Sequence, residues 1–141
     1  MRVELSDEAR QYIGTFDELT DVGPLDCLLE DDGDRVVFLL PAGEMGDAIG
    51  PDGRVVRRVE DRLGADVVLV ENADTPEAFV ANALAPAAVR GVTVSEQNDT
   101  VAYVEVPERD RGVAIGADGR TIETARRLAS RHFDIDDVQL A

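Results

Sequence analysis

At 141 residues the chain has room for one ordinary domain or two very small ones, and its 44% apolar content is enough for a packed core. Thirty acidic residues stand against 14 basic ones, for a formal net charge of −16, and all 14 basic residues are arginine. No apolar run approaches the roughly 18 residues of a membrane span, and the N-terminus lacks the apolar stretch of a signal peptide. A lone cysteine, Cys27, excludes an internal disulfide and a Cys-rich zinc site.

These features predict a cytoplasmic protein with Cys27 as a small buried hydrophobe. So negative a chain repels polyanions in dilute buffer. Acid excess without lysine suits molar salt, where the Debye length falls to about 3 Å and self-repulsion is muted. The composition therefore predicts a halophilic origin, with stability rising from dilute buffer into molar KCl.

In chain order, Ser6-Asp7-Glu8-Ala9 opens a first helix, with Ser6 as N-cap and acids in the first turn. Two short strands follow, about 25–30 and 35–40, joined by the polar turn Asp31–Asp34. After Pro41 comes a short helix that ends at Gly50-Pro51-Asp52-Gly53, then a long helix over about 53–63 and a strand from Asp66 to Glu71. The series then repeats. Thr75-Pro76-Glu77-Ala78 opens a helix, with Pro76 at the first helical position, where its missing N–H costs nothing. Strands at about 89–96 and 101–106 lead to Pro107, a short helix, Gly116-Ala117-Asp118-Gly119, a long helix over about 119–132 and a strand at 136–140.

The repeat is also literal. Pro41 falls on Pro107, Ala48-Ile49-Gly50 on Ala114-Ile115-Gly116, and Asp52-Gly53-Arg54 on Asp118-Gly119-Arg120, every pair 66 residues apart. The second copy needs a few extra residues between its long helix and last strand. Residues 72–76 are the only linker candidate, which predicts domains at 1–72 and 73–141 held close together. Both loops are then expected on a shared surface, reading one continuous strand.

A single Gly-x-x-Gly is a weak signal, since a helix C-cap followed by a new helix produces it. Twice, in the same strand–helix–loop–helix–strand setting, it is strong. Glycine lets the backbone turn and approach a ligand with no Cβ in the way, and the helix that follows presents free N–H groups and a positive dipole end to a phosphate.

The arrangement resembles the KH domain, in its type II topology. The strings 45–54 and 112–120 carry the resemblance, which covers the whole chain and is closest to the archaeal NusA-like transcription factors. It implies an α+β fold of two tandem type II KH domains, each a three-stranded sheet packed with three helices. It also implies single-stranded RNA as ligand, gripped by its backbone over about four nucleotides, and RNA polymerase as a partner. One departure bears on binding. Loops of the family often carry a basic residue between the glycines, whereas here Asp52 and Asp118 stand there and repel phosphate.

Ten of the 14 arginines lie within 54–62 and 109–131, flanking the loops. Arg54, Arg58 and Arg62 fall within about 80° on the first long helix, with Arg57 adjacent, and Val55, Val56, Val59 and Leu63 opposite. Arg120, Arg127 and Arg131 fall within about 40° on the second, against Ile122, Ala125, Leu128 and Ala129. The candidate RNA-binding set is therefore Ala48, Ile49, Gly50, Pro51, Asp52, Gly53, Arg54, Arg57 and Arg58, with Ala114, Ile115, Gly116, Ala117, Asp118, Gly119, Arg120 and Arg127. In it Ala48-Ile49 and Ala114-Ile115 form an apolar floor for bases, although both isoleucines suit a core equally well. Arg54 and Arg120, immediately after each loop, are expected to contact phosphate.

Catalysis finds no support. His132 is the only histidine, at a helix end where a solvent-facing or capping role is usual, and no phosphate-loop motif, metal cluster or cofactor motif is present. The reading is an RNA-binding factor of transcription elongation or termination. Two alternatives stay open: a KH protein of ribosome assembly or RNA turnover, and a KH-fold interaction module that has lost RNA binding.

Overall fold

The computed structural model describes residues 4–141, which form two compact units, Glu4–Asn72 and Ala73–Ala141. Helix α1 (Asp7–Thr20) begins where the Ser6 hydroxyl accepts the Ala9 N–H at 3.1 Å, with Asp7 and Glu8 at the positive end of the helix dipole. It ends as Asp21 turns left-handed (φ 60°) and returns its N–H to the Asp17 carbonyl. Strands β1 (Asp26–Glu30) and β2 (Arg35–Leu40) pair antiparallel, Leu28 opposite Val37.

From β2 the chain crosses through α2 (Met45–Ile49) and α3 (Arg54–Leu63) and returns as β3 (Asp66–Glu71), parallel to β2. A parallel neighbour requires such a crossover, so the loop between α2 and α3 is held at one end of the unit by the sheet on which both helices lie. The sheet order is β1-β2-β3.

Alternation along β2 sends Val36, Phe38 and Leu40 into a core with Phe16, Cys27, Ala48 and Val59. The Phe16 and Phe38 rings meet at 4.4 Å between centroids. Burying each ring contributes about 2–3 kcal/mol. Cys27 is 4% exposed, and its thiol is pushed up to about 12, first by burial and then by the neighbouring Asp26 and Glu8 carboxylates. The folded protein should therefore resist a thiol reagent at pH 8 and react only at its unfolding rate, which a time course with and without denaturant reads directly. Because the unfolded thiol loses its proton first, this contribution to stability is complete below pH about 9 and is lost between about 9 and 12.

The second unit repeats the series. Thr75 Oγ1 accepts the Ala78 N–H at 3.2 Å and Pro76 stands at the start of α4 (Pro76–Ala83). Strands β4 (Gly91–Glu96) and β5 (Thr100–Glu105) pair antiparallel, and β6 (Asp137–Leu140) joins β5 in parallel after α5 (Arg111–Ile115) and α6 (Arg120–Phe133). The order is β4-β5-β6. The extra residues of this copy lengthen the helix: α6 has 14 residues against 10 in α3. Its added turn carries Phe133, whose ring lies 4.8 Å from that of Phe79 on α4. The architecture is α+β, two three-stranded sheets with three helices on each.

Among the described residues no helix is long and apolar enough to cross a membrane.

Candidate nucleic-acid interface

The two loops share one backbone path. Helix α2 ends when the Gly50 N–H bonds the Gly46 carbonyl at 2.9 Å, and α5 ends when the Gly116 N–H bonds Gly112 at 2.9 Å. Gly50 (φ 72°, ψ 174°) and Gly116 (φ 82°, ψ 168°) then adopt a conformation open essentially to glycine alone. Asp52 and Asp118 both sit at φ 54°, ψ 26°. Gly53 (φ 72°, ψ 17°) and Gly119 (φ 74°, ψ 12°) close the turn, each giving its N–H to the first glycine's carbonyl at 3.1 Å.

The glycines of each loop are constrained by different things. A Cβ on Gly50 would lie 2.3 Å from Val55 Cγ2, and one on Gly116 would lie 2.3 Å from Thr121 Oγ1. These first glycines are required by the fold itself. A Cβ on Gly53 would meet nothing nearer than Val56 Cγ1 at 4.0 Å, and one on Gly119 nothing within 4 Å. The second glycines face open space at the starts of α3 and α6. Neither helix has a side-chain cap there; the Arg54 and Arg120 N–H groups turn back to the Pro51 and Ala117 carbonyls, and the positive dipole end of each helix is left without a capping side chain.

The loop aspartates gain a physical reason. Left-handed backbone disfavours most side chains but suits Asp and Asn, whose short polar groups bond locally. Asp52 and Asp118 are the residues that hold that bend.

Arg54, Arg57, Arg58, Arg120 and Arg127 are all exposed, and Pro51 and Ala117 lie exposed in the loops. Arg57 reaches back from α3 to the carbonyl of Asp52 and braces the loop. The apolar floor divides. Ile49 and Ile115 are 38% and 39% exposed, whereas Ala48 and Ala114 are fully buried. The expectation that both alanines line the site is therefore corrected: their small side chains let α2 and α5 sit close on the sheets, and only the isoleucines reach the surface.

In the second unit a groove of about 490 Å3 runs from the loop to the edge strand, bounded by Ile115, Asp118, Gly119, Ile122, Arg126 and Leu140. Ile115, Ile122 and Leu140 give it apolar walls, and Arg126 is the cation most firmly fixed among its polar residues. Arg126 Nε lies 2.9 Å from Asp137 Oδ1 and donates to the Val138 carbonyl at 3.0 Å, while its guanidinium also pairs with Glu123. The Asp137 carboxyl is held below its usual range by the Gln139 amide, the Val138 N–H and Arg126, against desolvation that raises it. Arg111, at the groove's far wall, donates to the Ala141 carbonyl at 2.9 Å. Arg127 is not in this groove; it borders a separate depression with Ser130 and Arg131.

Sequence reasoning passed over Ile122, Arg126, Leu140 and Arg111. A signal for Arg126 existed: it stands about 40° from Ile122 on α6, a cation on the sheet-facing side that must find partners there. Among the described residues no group of three or more His, Cys, Asp or Glu is placed to hold a metal ion.

Comparison with known proteins follows this geometry. Residues 76–141 match the profile of the NusA-like second KH domain. The probable transcription termination protein NusA of Halococcus morrhuae is 62% identical over 141 residues, covering 100% of both chains. Its counterpart from Halobacterium salinarum is 61% identical over 140 residues, 99% of each. The crystal structure of APE1850 superposes with a TM-score of 0.85 at 30% identity, over 97% of this chain and 100% of that one. With two Gly-x-x-Gly units in the same order and relatives of this identity over its full span, the chain belongs to the archaeal NusA-like family of KH proteins, alongside members from halophiles.

Proposed function

We propose that this protein binds single-stranded RNA in the cytoplasm and acts in transcription termination or elongation. Each Gly-x-x-Gly loop clamps the sugar-phosphate backbone, and neighbouring bases lie against Ile49 or Ile115. The observation that carries this reading is the contrast within each loop: the first glycine is required by its own fold, while the second faces empty space. A position with room for a side chain but none present suits close approach of another molecule's backbone. The positive dipole end at the helix start attracts phosphate without a basic residue in the loop, so Asp52 and Asp118 are compatible with binding. Arg54 and Arg120, one residue beyond, add the cation. By family likeness RNA polymerase is a further partner, to be sought by co-purification. No step requires catalysis.

The protein's charge sets the test. Ordinary RNA binders lose affinity steeply as salt rises, through fading counterion release. Here a net charge of −16 opposes RNA in dilute buffer. Added salt screens that repulsion while also weakening Arg54 and Arg120. Apolar burial of bases depends little on salt. Titrating a labelled, unpaired RNA of about ten nucleotides from dilute buffer to molar KCl should give a shallow or reversed salt slope. A slope equal to six or more neutralised phosphates would show that the arginines dominate. Absence of saturable binding at every salt concentration would end the RNA reading.

A further inference from the structure

The two copies carry opposite charges at one matched position. Sixty-six residues beyond Glu60 lies Arg126. Both do the same mechanical work, tying the second turn of the long helix to the outer edge of the sheet. Glu60 Oε2 accepts the Val67 N–H at 3.2 Å, and Arg126 Nε donates to the Val138 carbonyl at 3.0 Å. Val67 pairs with Val36 and Val138 with Ala102, and Val36 and Ala102 are themselves 66 residues apart, so the tie reaches one place in the fold with its polarity reversed. Had the position served only to fasten helix to strand, one polarity repeated would suffice.

In the second copy this residue also faces the groove, beside Ile115, Gly119, Ile122 and Leu140. Glu123, Asp137 and the Val138 carbonyl fix its guanidinium, so a planar cation stands oriented against whatever fills that space. The 66-residue repeat puts Glu60 at the corresponding helix position of the first copy. A carboxylate only accepts hydrogen bonds and a guanidinium only donates them. Unstacked bases in a groove are read on their edges, glutamate suiting the amino group of cytosine and arginine the acceptors of guanine.

We propose, resting on the RNA-binding reading above, that this position sets the base preference of each groove: Glu60 selects bases that offer an amino donor, adenine, cytosine or guanine, over uracil, and Arg126 selects bases with a keto acceptor, guanine or uracil, over adenine and cytosine. A mismatched base would set an acceptor against the Glu60 carboxylate or a donor against the Arg126 guanidinium, which is where discrimination arises.

The test exposes the full chain, in molar KCl, to a random pool of RNAs of about ten nucleotides and sequences what is retained. Arg126→Gln should reduce guanine and uracil relative to adenine and cytosine by at least about fivefold at one selected position, and Glu60→Gln should raise uracil relative to the other three bases at another. The exchange variant Glu60→Arg with Arg126→Glu should swap the two preferences. The glutamine variants keep a hydrogen-bonding group for the strand, so the result does not depend on the exchange variant folding. Base ratios are the readout, so a general fall in affinity or melting temperature does not imitate the effect. Unchanged ratios in glutamine variants that still retain RNA would overturn the proposal and leave both residues as fasteners. Failure of the parent protein to retain any RNA would instead remove the binding reading beneath it.

Discussion

Gly116→Ala is expected to destabilise the second unit by about 3 kcal/mol or more, summing strain at a glycine-only conformation with overpacking of about 1–3 kcal/mol each. The new methyl would stand 2.3 Å from Thr121 Oγ1 and 2.8 Å from the Thr121 backbone nitrogen. A side chain can rotate away, but that nitrogen belongs to the first turn of α6 and moves only with the helix. Gly50→Ala should cost less, because its nearest backbone atom, the Val55 nitrogen, is 3.1 Å away. Gly119→Ala meets no atom and should cost only its left-handed conformation, about 1–2 kcal/mol. For a unit of this size the Gly116 change corresponds to a fall in Tm of more than about 10 °C. Unfolding followed by circular dichroism in molar KCl ranks the three variants. Equal losses at Gly116 and Gly119 would contradict the division of the loop into a fold-bound and an open glycine.

The open glycines make the opposite prediction. The double variant Gly53→Asp with Gly119→Asp should remain folded, since both positions have room and aspartate already holds left-handed backbone one residue earlier in each loop. RNA affinity should nevertheless fall by about tenfold or more, equivalent to 1.4 kcal/mol. Each substitution sets a side chain and a negative charge where a phosphate must approach the helix start. Asparagine at the same positions adds bulk without charge, so its smaller effect separates the steric part from the electrostatic part. Unchanged RNA binding in the folded aspartate variant would exclude the loops as the clamp.

Much of this fold was readable because local and global signals agree. Ser6 and Thr75 cap the helices they precede, Pro76 falls where a helix start tolerates it, and the second long helix buries Ile122, Ala125, Leu128 and Ala129 as its period demands. The 66-residue repeat supplied the topology twice over. The loops were legible as a motif but not as geometry. Nothing in Gly-x-x-Gly distinguishes a glycine pressed against Val55 or Thr121 from one facing solvent, since those contacts form only when the helix returns on itself. Ala48 and Ala114 looked like part of the floor because they precede the exposed isoleucines; on a helix, adjacent residues point about 100° apart, and the pair divides between core and surface. Arg126 was hidden by the habit of grouping arginines with arginines. Its partners Asp137 and Val138 lie on a strand that the helical projection cannot show.

Among the described residues, every non-glycine with left-handed backbone is an aspartate: Asp21, Asp31, Asp32, Asp52, Asp118 and Asp134. They end α1 and α6, shape the β1–β2 turn and bend both loops. For anyone re-engineering this protein to work in dilute buffer, its acidic residues are therefore of two kinds. Exposed carboxylates elsewhere, apart from those such as Glu123 and Asp136 that bind Arg126 and the Thr100 N–H, can be exchanged for glutamine, serine or alanine with charge as the main consideration. At these six positions only asparagine or glycine removes the charge and still accepts the bend. A charge-reduction library that treats all acids alike would unpick two helix ends, a hairpin and both loops while aiming only at electrostatics.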